Sequence, residues 1–436
     1  MTYAEGVAYL YSLRQFGMKL GLEKTLRLAE LAGRPQDRLR FIHVAGTNGK
    51  GSTCALLESI YRRSGRKTGL FTSPHLVSFT ERIRINGQPV TPLRVARAVE
   101  NLRTRIESMG EPDPPTFFEC VTVMAMEIFA ESACDVVIWE TGMGGRLDAT
   151  NIVTPLASLI TTIDFDHEAW LGSTLGAIAG EKAGIIKPGV PALTAVVDPE
   201  ALEVIRRAAR EKGSPLIELA DGEEERVLGA LRPALRGRHQ RRNAALACLA
   251  VEVLQRALLV TPAVVGEGLS QAEWLGRIQR IQRGERVFWV DGAHNPAGAR
   301  ALRETLGDCD EAGRRRVLIF GALADKDWGE MLRVLAPLFS KVFLVPVGSS
   351  RSASPAELGR ELEGGVNREI CGSLEECFHR VPDSVEVVIC GSLYLVGQAL
   401  RWLQVIPVFP ECGDESGLNE WAGRVGDKPS GRGHVP

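Results

Sequence analysis

The chain has 436 residues, which is too long for one ordinary hydrophobic core, so two or three domains are expected. Its apolar fraction of 44% and charged fraction of 24% are typical of a globular protein that folds in water. The net charge of −2 argues against a dedicated binder of nucleic acid or membrane surfaces, and no apolar run is long enough to span a bilayer.

Short apolar runs rich in β-branched residues alternate with helical patterns through the first part of the chain. The predicted strands are Phe41–Val44, Lys67–Phe71, Asp135–Glu140 and Ala157–Thr161. The predicted helices between them include Ser52–Arg63 and Thr116–Ala133. Alternation of this kind predicts a mostly parallel sheet with helices on its faces.

A glycine-rich loop follows the first predicted strand and leads into a helix. Its residues are Gly46, Thr47, Asn48, Gly49, Lys50, Gly51 and Ser52. The three glycines let backbone N–H groups surround phosphate oxygens, and Lys50 and Ser52 stand where a helix N-terminus attracts anions. The spacing is shorter than in the common nucleotide loop, and a glycine separates Lys50 from Ser52. A simple strand-to-helix turn is the alternative, but the combination favours phosphate binding.

The segment Phe71–Gly87 follows the second predicted strand. Ser73-Pro74-His75 interrupts that strand, and Arg82 and Arg84 supply positive charge. From these residues alone, a surface loop without function is as good an interpretation as a ligand-binding loop.

The third predicted strand ends in Glu140, followed by a glycine-rich turn. Ligands gather at the carboxyl ends of parallel strands, and Mg²⁺ takes hard oxygen donors, so Glu140 is a natural metal ligand beside a phosphate loop. A turn acid or helix cap is the structural alternative. His167 follows the fourth predicted strand, and Lys182 lies in a helical pattern after it. Taken alone, each would be an ordinary polar residue.

A second alternating series begins near Arg286. Its predicted strands are Val287–Val290, Arg316–Phe320, Lys341–Val345 and Val385–Cys390, and its helices begin near Pro296, Lys326, Pro355 and Leu393. The polar segment Gln279–Glu285 is taken as the boundary between the two series. This predicts a first domain over 1–283, a second over 284–410, and a disordered tail over 411–436 that is rich in Gly, Pro and charge.

These motifs occur in the order found in one protein family. They read GTNGKGS, FTSPHLVSFTERIRING, DVVIWETGMGGRLDATN, TTIDFDHEAWLGSTLGAIAGEKAGIIKPG, RHQRRNAALA, LGRIQRI, VDGAHNPAG, GALADKDW and CGSLYLVG. From about Gly21 to Gly397 the chain resembles the folate branch of the Mur ligase superfamily, the folylpolyglutamate synthase/dihydrofolate synthase family. The fold this implies is α/β, with an N-terminal P-loop-type sheet and a smaller Rossmann-like C-terminal domain.

The resemblance implies roles for particular residues. Nucleotide contacts are implied for the seven residues of the glycine-rich loop, for Asn243 at adenine, for Arg277 at phosphate and for Asp291 at ribose. Pterin contacts are implied for Thr116, Phe117, Phe118, Glu119, Leu147, Asp148 and Ala149. Magnesium ligands are implied at Ser73, Glu140 and His167, with Lys182 carbamylated, His294 near phosphate or the incoming glutamate, and Ser392 near glutamate.

Simpler alternatives to these roles stay open from the residues themselves. A Phe pair beside an acid suits stacking on a pterin ring, yet Phe117 and Phe118 could equally be core at the start of a helix. Taken singly, Asn243, Arg277, Asp291 and His294 could each be a helix cap or a member of a salt bridge.

The activity implied is an ATP-dependent ligase that adds L-glutamate to dihydropteroate, to (tetrahydro)folyl-glutamates, or to both, through an acyl phosphate. A peptidoglycan-precursor ligase would use the same ATP chemistry, but the form of the glycine-rich loop and the lack of a nucleotide-sugar domain count against it. A non-catalytic nucleotide-binding regulator is the other alternative, and it would not need Glu140, His167 and Lys182 together.

Location and assembly follow from weaker signals. The N-terminus shows no basic region leading into an apolar run, so no signal peptide is expected. The nine cysteines lack paired spacing, which predicts free thiols in the cytoplasm and no zinc site. Only small-molecule partners are expected, namely folate or pteroate, L-glutamate and ATP, with no nucleic acid or membrane, and the protein is expected to be a monomer.

Overall fold

The computed structural model describes residues 1–16, 21–110, 114–308, 315–362 and 366–405, which form two sheets covered by helices. The predicted tail, 411–436, lies outside the described residues. No helix of the described residues combines the length and the apolar character that crossing a bilayer requires. The cysteines of these residues are free, and all but the half-buried Cys248 are buried.

The first sheet contains eight strands and includes every strand predicted in the first part of the chain. They are β1 (Phe41–Ala45), β2 (Thr68–Phe71), β3 (Ile83–Ile85), β4 (Gln88–Pro89), β5 (Val136–Glu140), β6 (Ala157–Ile160), β7 (Ala192–Thr194) and β8 (Leu216–Glu218). The order is β4-β3-β2-β5-β1-β6-β7-β8, and only the pairs β2–β3 and β3–β4 are antiparallel. The mostly parallel sheet that the alternation predicted is therefore confirmed.

Helices cover both faces of this sheet. They are α1 (Tyr3–Ser12), α2 (Glu23–Leu31), α3 (Lys50–Arg63), α4 (Pro92–Met109), α5 (Phe117–Glu131), α6 (Glu168–Leu171), α7 (Leu175–Ala183), α8 (Pro199–Glu211), α9 (Glu224–Leu228), α10 (Arg238–Val253) and α11 (Pro262–Ser270). Successive residues of a strand point to opposite faces, so Phe41 packs in the core beneath α1, α4 and α5, while Ile42 packs in the core beneath α3, α10 and α11.

The register of the central strands brings their carboxyl ends to one level. Val44 of β1 pairs with Glu140 of β5 on one side and with Leu159 of β6 on the other. These strands are buried throughout, and the Trp139 ring stacks on Phe71 with centroids 4.5 Å apart. Burial of a large aromatic side chain stabilises the fold by about 1.5–3 kcal/mol. The loops that follow β1, β5 and β6 therefore start next to one another at the same edge of the sheet.

The second sheet is built from the later part of the chain. Its strands are β9 (Gln279–Arg283), β10 (Arg286–Val290), β11 (Arg316–Phe320), β12 (Lys341–Leu344), β13 (Arg368–Ile370) and β14 (Glu386–Cys390), in the order β13-β12-β11-β14-β10-β9. Its helices are α12 (Pro296–Asp308), α13 (Trp328–Leu335), α14 (Pro355–Arg360), α15 (Leu374–Arg380) and α16 (Leu393–Trp402). All neighbouring strands are parallel except β9, which runs antiparallel to β10.

The polar segment that the sequence suggested as a boundary is the edge strand β9. Ile281 is buried there while Arg280 and Gln282 are exposed, so one face of the strand packs on the core and the other meets solvent. An edge strand of this kind looks like a polar linker in sequence. The second sheet therefore begins at Gln279, before the predicted position 284.

Candidate active site

One cleft of about 3180 Å³ lies where the carboxyl ends of β1, β5 and β6 face the loops of the second sheet. Every residue predicted to bind nucleotide, metal, pterin or glutamate lines this cleft. The structure thus brings together residues from Gly46 to Ser392.

The glycine-rich loop is shaped by close approaches that exclude side chains. A Cβ on Gly46 would lie 1.9 Å from Thr161 Oγ1, and a Cβ on Gly49, where φ is 86°, would lie 2.5 Å from Asn243 Oδ1. Gly49 is the N-cap of α3. Lys50 folds back over the loop, and its Nζ donates to the carbonyl oxygens of Gly46 at 2.9 Å and Thr47 at 3.2 Å. The loop is therefore preformed, with its lysine over its own backbone.

Two amide side chains of α10 support the end of the loop. Gln240 Nε2 donates to Ser52 Oγ at 3.1 Å, and Asn243 Nδ2 donates to Gln240 Oε1 at 3.0 Å. Asn243 was predicted from sequence and Gln240 was not. Gln240 is almost completely buried and holds both residues in place, so α10 and the start of α3 act as one unit.

Lys182 of α7 is buried and points its ammonium group at the loop. Its Nζ donates to Gly46 O at 3.0 Å, so two lysines share one carbonyl oxygen. Burial, together with the nearby Lys50, lowers the pKa of Lys182 to about 7 against the opposing influence of Asp166 and Asp148. This side chain is therefore a buried amine that loses its proton readily, in contrast to the solvated lysine that the sequence alone suggested.

Glu140 ends β5 as a buried carboxylate. Its Oε2 accepts a hydrogen bond from the Ser73 backbone N–H at 2.9 Å. Burial raises the pKa of Glu140 to about 7, against the influence of Lys50, the Ser73 amide and Arg277. A cation bound here would stabilise the ionised form, so the residue suits a metal ligand.

His167 lies in the cleft with 47% of its side chain exposed, beside Asp166. The described residues contain no group of three His, Cys, Asp or Glu side chains arranged to hold a metal ion. The predicted metal set includes a serine, Ser73, in addition to Glu140 and His167. The donors present are a carboxylate, a hydroxyl and an imidazole, which are chemically suited to Mg²⁺ with water completing its shell.

Asp166 joins the two sheets across the cleft. Its carboxylate pairs with Lys326 Nζ at 2.6 Å, lies 3.8 Å from His294 Nε2, and accepts from Asn295 Nδ2 at 3.3 Å. Asn295 Nδ2 also donates to Asn48 Oδ1 at 3.1 Å, which ties the glycine-rich loop to the same cluster. Burial would raise the pKa of Asp166, but His167, Lys326 and His294 outweigh it and hold the pKa well below its usual range.

The helix that begins the predicted pterin segment is capped by its own residues. Thr116 Oγ1 accepts from the Glu119 N–H at 3.4 Å, and the Glu119 carboxylate accepts from the Thr116 N–H at 2.7 Å. Phe117 is buried beside Tyr11 and Phe79, so it belongs to the core. Both Phe residues line the cleft, and Phe118, which is half-buried, is the more exposed of the two.

Asp148 closes the turn on the same side of the cleft. It caps the short helical turn 149–152, and it accepts hydrogen bonds from the backbone N–H groups of Met143 at 2.7 Å and Thr150 at 3.0 Å. Burial raises its pKa, in opposition to those hydrogen bonds and to one from the Thr150 hydroxyl. Leu147 remains 37% exposed beside it and Ala149 is buried.

The predicted residues of the second sheet are held mainly by backbone groups. Asp291 accepts from the N–H groups of Ile278 and Ala293, both at 2.9 Å, and Arg277 donates to Gly276 O at 2.9 Å. His294 Nδ1 lies 2.7 Å from Gly292 O. Ser392 caps α16 by accepting from the Tyr394 N–H at 3.2 Å.

The segment Phe71–Gly87 is not the surface loop that was one of its two interpretations. Arg82 is completely buried, its Nε donates to His75 Nδ1 at 2.9 Å, and burial lowers its pKa to about 10. Arg84 lies over the Trp274 ring, 5.3 Å from its centroid, and Trp274 packs against Gly51. Arg84 therefore supports the glycine-rich loop through Trp274, and Arg82 packs in the aromatic core, where its guanidinium group lies over the Phe79 and Phe117 rings.

Comparisons with known proteins give one consistent result. Residues 276–393 match the family described as Mur ligase, glutamate ligase domain. The dihydrofolate synthase/folylpolyglutamate synthase of Bacillus subtilis is 36% identical over 429 residues, which cover 92% of this chain and 99% of that protein. The crystal structure of folylpolyglutamate synthase from Thermotoga maritima has a TM-score of 0.81 at 32% identity and covers 94% of this chain and 98% of its own. Escherichia coli FolC in complex with DHPP and ADP has a TM-score of 0.82 at 31% identity, covering 93% and 98% respectively.

Proposed function

We propose how the cleft works from one premise: this chain belongs to the dihydrofolate synthase/folylpolyglutamate synthase family, ATP-dependent ligases that add L-glutamate to folates. The observation that carries the proposal is the position of Lys182. This buried amine contacts the glycine-rich loop after β1 through Gly46, and its pKa also responds to Asp148 in the turn after the neighbouring strand β5. ATP and the folate are therefore proposed to meet at one edge of the first sheet, between the glycine-rich loop and Asp148.

The reaction needs an activated carboxylate because amide formation from a free carboxylate is uphill in water. A carboxylate oxygen of the folate attacks the γ-phosphorus of ATP, ADP leaves, and an acyl phosphate forms. The glutamate amine then attacks the acyl carbon and loses a proton, and phosphate departs. Lys50 and the N–H groups of the loop stabilise the charge on the transferred phosphoryl group, and the cleft keeps water from the acyl phosphate.

ATP is assigned to the seven residues of the glycine-rich loop, with Asn243 at the adenine, Arg277 at a phosphate and Asp291 at the ribose. The complex of the Escherichia coli relative with ADP supports nucleotide binding in this fold. Since Asp291 accepts two backbone N–H groups, its carboxylate is already oriented before ribose hydroxyls reach it.

Mg²⁺ is assigned to Ser73, Glu140 and His167. When bound, it would neutralise phosphate charge and orient the phosphoryl group for transfer. The raised pKa of buried Glu140 supports a cation next to this carboxylate. Glu140→Gln should increase the Mg²⁺ concentration needed for half-maximal rate more than His167→Ala does, and an unchanged Mg²⁺ titration for both variants would refute the assignment.

Lys182 is assigned as a carbamate in the active enzyme. The neutral amine is the form that adds carbon dioxide, and the pKa of about 7 makes that form abundant at neutral pH. The modification replaces a buried cation by an oxygen anion next to the nucleotide site, which suits the binding of further Mg²⁺.

The folate is assigned to the segments Thr116–Glu119 and Leu147–Ala149. Phe118 offers an aromatic face, while Thr116 and Glu119 chiefly hold the start of α5. Glutamate is assigned to the second domain, taken as 284–410, through His294 and Ser392. The match of residues 276–393 to a glutamate ligase domain supports this division of labour.

The activity is tested by ATP turnover with acceptor and glutamate supplied separately and together. Turnover should require both, and product analysis with dihydropteroate and with tetrahydrofolyl-glutamate separates dihydrofolate synthesis from polyglutamate extension. Lys50→Ala should abolish ligation in a folded protein, whereas Lys67→Ala, which removes an exposed lysine outside the cleft, should not. Near-normal turnover of Lys50→Ala at saturating ATP would refute the phosphate-loop assignment.

A cytoplasmic monomer is part of the proposal. The free cysteines of the described residues support a reducing compartment, which cell fractionation tests. The cleft takes all its assigned residues from one chain, and a dimer in sedimentation experiments would contradict the assignment as a monomer.

A further inference from the structure

A short chain of buried hydrogen bonds leads from the middle of β1 to Asp148. His43, the central residue of β1, is completely buried, and its Nε2 lies 2.9 Å from Thr150 Oγ1. The Thr150 hydroxyl donates to Asp148 Oδ1 at 2.5 Å, and Thr150 is also completely buried. Three side chains from β1 and from the turn after β5 are thus connected inside the protein, beneath the wall of the cleft.

The direction of these hydrogen bonds is fixed. A hydroxyl has one proton, so when Thr150 donates to Asp148 its oxygen must accept from His43. His43 therefore carries its proton on Nε2. Burial, together with the charge of Lys187, lowers the pKa of His43 to about 3, so the ring is neutral and has this single tautomer. His43 Nδ1 is buried and has no hydrogen-bond partner among the described residues. An unsatisfied buried nitrogen destabilises the fold, and His43 nevertheless keeps the tautomer in which Nε2 donates to Thr150.

Asp148 is held as a pure acceptor by these contacts. Oδ1 receives the hydroxyl and the N–H of Thr150, and Oδ2 receives the N–H of Met143. These fixed donors favour the ionised carboxylate and so oppose burial, which raises the pKa of Asp148. A ligand group that approaches it must therefore bring a proton, so an N–H or O–H donor is favoured and a carbonyl oxygen is rejected.

Asp148 Oδ2 and the Phe118 ring both border Gly142. A Cβ on Gly142 would lie 3.1 Å from Asp148 Oδ2 and 2.4 Å from Phe118 Cζ, so glycine leaves the carboxylate and the ring next to each other. A flat heterocycle lying on Phe118 would bring its edge to Oδ2. The pterin group of a folate has that shape, and its edge carries an amino group and a ring N–H.

We propose that His43 and Thr150 are positioning residues that orient Asp148 as a hydrogen-bond acceptor for the N–H edge of the pterin. The inference rests on the proposed function, since it takes the segment Leu147–Ala149 as part of the folate site. It extends that function by two residues which do not contact the ligand. They act by fixing the direction of the hydrogen bonds that run from His43 through Thr150 to Asp148. Asp148 is thereby kept as an acceptor, and the site is specific for a ligand edge that donates hydrogen bonds.

Thr150→Val tests the relay because valine keeps the volume and removes the hydroxyl. We expect KM for dihydropteroate to rise about 10-fold, the usual effect of losing a hydrogen bond to a charged group, while KM for ATP and kcat stay within about 2-fold. Thr150→Ser keeps the hydroxyl and should restore the low KM. Thr305→Val is the matched control, because it removes an equally buried hydroxyl that only donates to Ala301 O within α12.

His43 gives a second test that does not depend on the folding of Thr150→Val. In His43→Gln the amide nitrogen takes the position of Nε2 and can still donate to Thr150, so KM for dihydropteroate should stay within about 3-fold. His43→Leu cannot donate and should behave like Thr150→Val. Thermal melting and ADP affinity show whether each variant retains the fold and the nucleotide site.

Asp148→Ala separates failure of the relay from failure of the folate site. If Asp148→Ala raises KM for dihydropteroate and Thr150→Val does not, the relay is refuted and the folate site stands. If neither variant changes that KM, the folate site proposed above is refuted as well. A parallel loss in kcat and in ATP affinity for Thr150→Val and His43→Leu, without rescue by Thr150→Ser or His43→Gln, would also overturn the inference, because it shows a purely structural role.

Discussion

Two buried aspartates, Asp148 and Asp166, lie in the same cleft and are held in opposite ways. Asp148 is surrounded by neutral donors, namely backbone N–H groups and one hydroxyl, and burial raises its pKa. Asp166 is surrounded by Lys326 and two histidines, which hold its pKa well below the usual range despite burial. Asp148 is therefore oriented by neutral dipoles, whereas Asp166 is neutralised by the ammonium group of Lys326.

The difference follows from which elements meet at each aspartate. Asp148 is held by the first sheet alone, so its geometry is fixed before any ligand or second domain arrives. Asp166 depends on Lys326 and Asn295 of the second sheet, and Asn295 also contacts Asn48 of the glycine-rich loop. We infer that Asp148 selects a ligand whereas Asp166 sets the position of the two sheets around ATP. Lys182 lies under the influence of both.

The largest effect is expected from Lys182→Arg, which replaces the side chain whose pKa both aspartates influence. Arginine keeps the positive charge and cannot form a carbamate, so kcat should fall about 1,000-fold, as for the loss of one preorganised electrostatic group. The measurement is the steady-state rate of ligation, with native mass spectrometry of the unaltered protein to detect the carbamate.

Lys182→Ala provides the control for this experiment. Acetate should partly restore its rate by placing a carboxylate in the vacated space, and bicarbonate depletion should inhibit only the unaltered enzyme. Full activity of Lys182→Arg, or no mass increase together with no response to bicarbonate, would show that Lys182 acts as a simple amine.

The next largest effect is expected from Asp166→Asn, which leaves Lys326 without its counter-ion. Both side chains are nearly buried, and breaking such a pair from one side costs about 3 kcal/mol or more. Displacement of the second sheet should lower kcat about 100-fold and increase the ATP hydrolysed per amide formed. Assays of phosphate release and of product measure this ratio.

Asp148→Asn is the comparison variant for Asp166→Asn, because it changes the other aspartate in the same way. It should raise KM for the folate and leave the ratio of ATP hydrolysed to product formed unchanged. If Asp148→Asn uncouples ATP hydrolysis while Asp166→Asn changes only folate KM, the contrast between the two residues is reversed.

Much of the fold could be predicted because its strands are short, buried and parallel. Such strands are continuous apolar runs, and those from β1 to β14 that were predicted begin and end within one residue of their observed positions. The strands that were not predicted are β3, β4, β7, β8, β9 and β13, which lie at or next to the sheet edges. They are two to five residues long, and β9 has only one buried residue, Ile281.

The residues of the site could be predicted from the sequence, but the contacts between them could not. The roles of the predicted residues came from the order of motifs, and all of them line the cleft. The partners Asp166, Lys326 and His43 were not singled out. Lys326 lies in the quoted motif GALADKDW, but its contact with Asp166 spans 160 positions of the chain. A single sequence does not indicate which distant residues pair with each other, because nothing in it distinguishes a buried lysine from an exposed one.

The smallest effect expected is a change in how stability depends on pH when Lys182 is replaced by methionine. In protein free of carbon dioxide, burial lowers the pKa of Lys182 from 10.5 to about 7 in the folded state. Between these values the unfolded chain binds a proton that the folded chain does not, so stability rises with pH over this range. Below pH 7 both states are protonated, and the cost of the buried charge is fully present.

Lys182→Met removes that cost, so its Tm should exceed that of the unaltered protein by about 2–4 °C at pH 6 and by progressively less toward pH 10. Lys67→Met, at an exposed position, should give a difference that does not vary with pH. The comparison of the aspartates sharpens the test, because both raise the pKa of Lys182 and Asp166 does so more strongly. In an Asp166→Asn background the folded-state pKa of Lys182 should therefore fall further than in Asp148→Asn. A Tm difference that stays constant from pH 6 to pH 10 would show that Lys182 does not titrate in this range and that neither aspartate influences it.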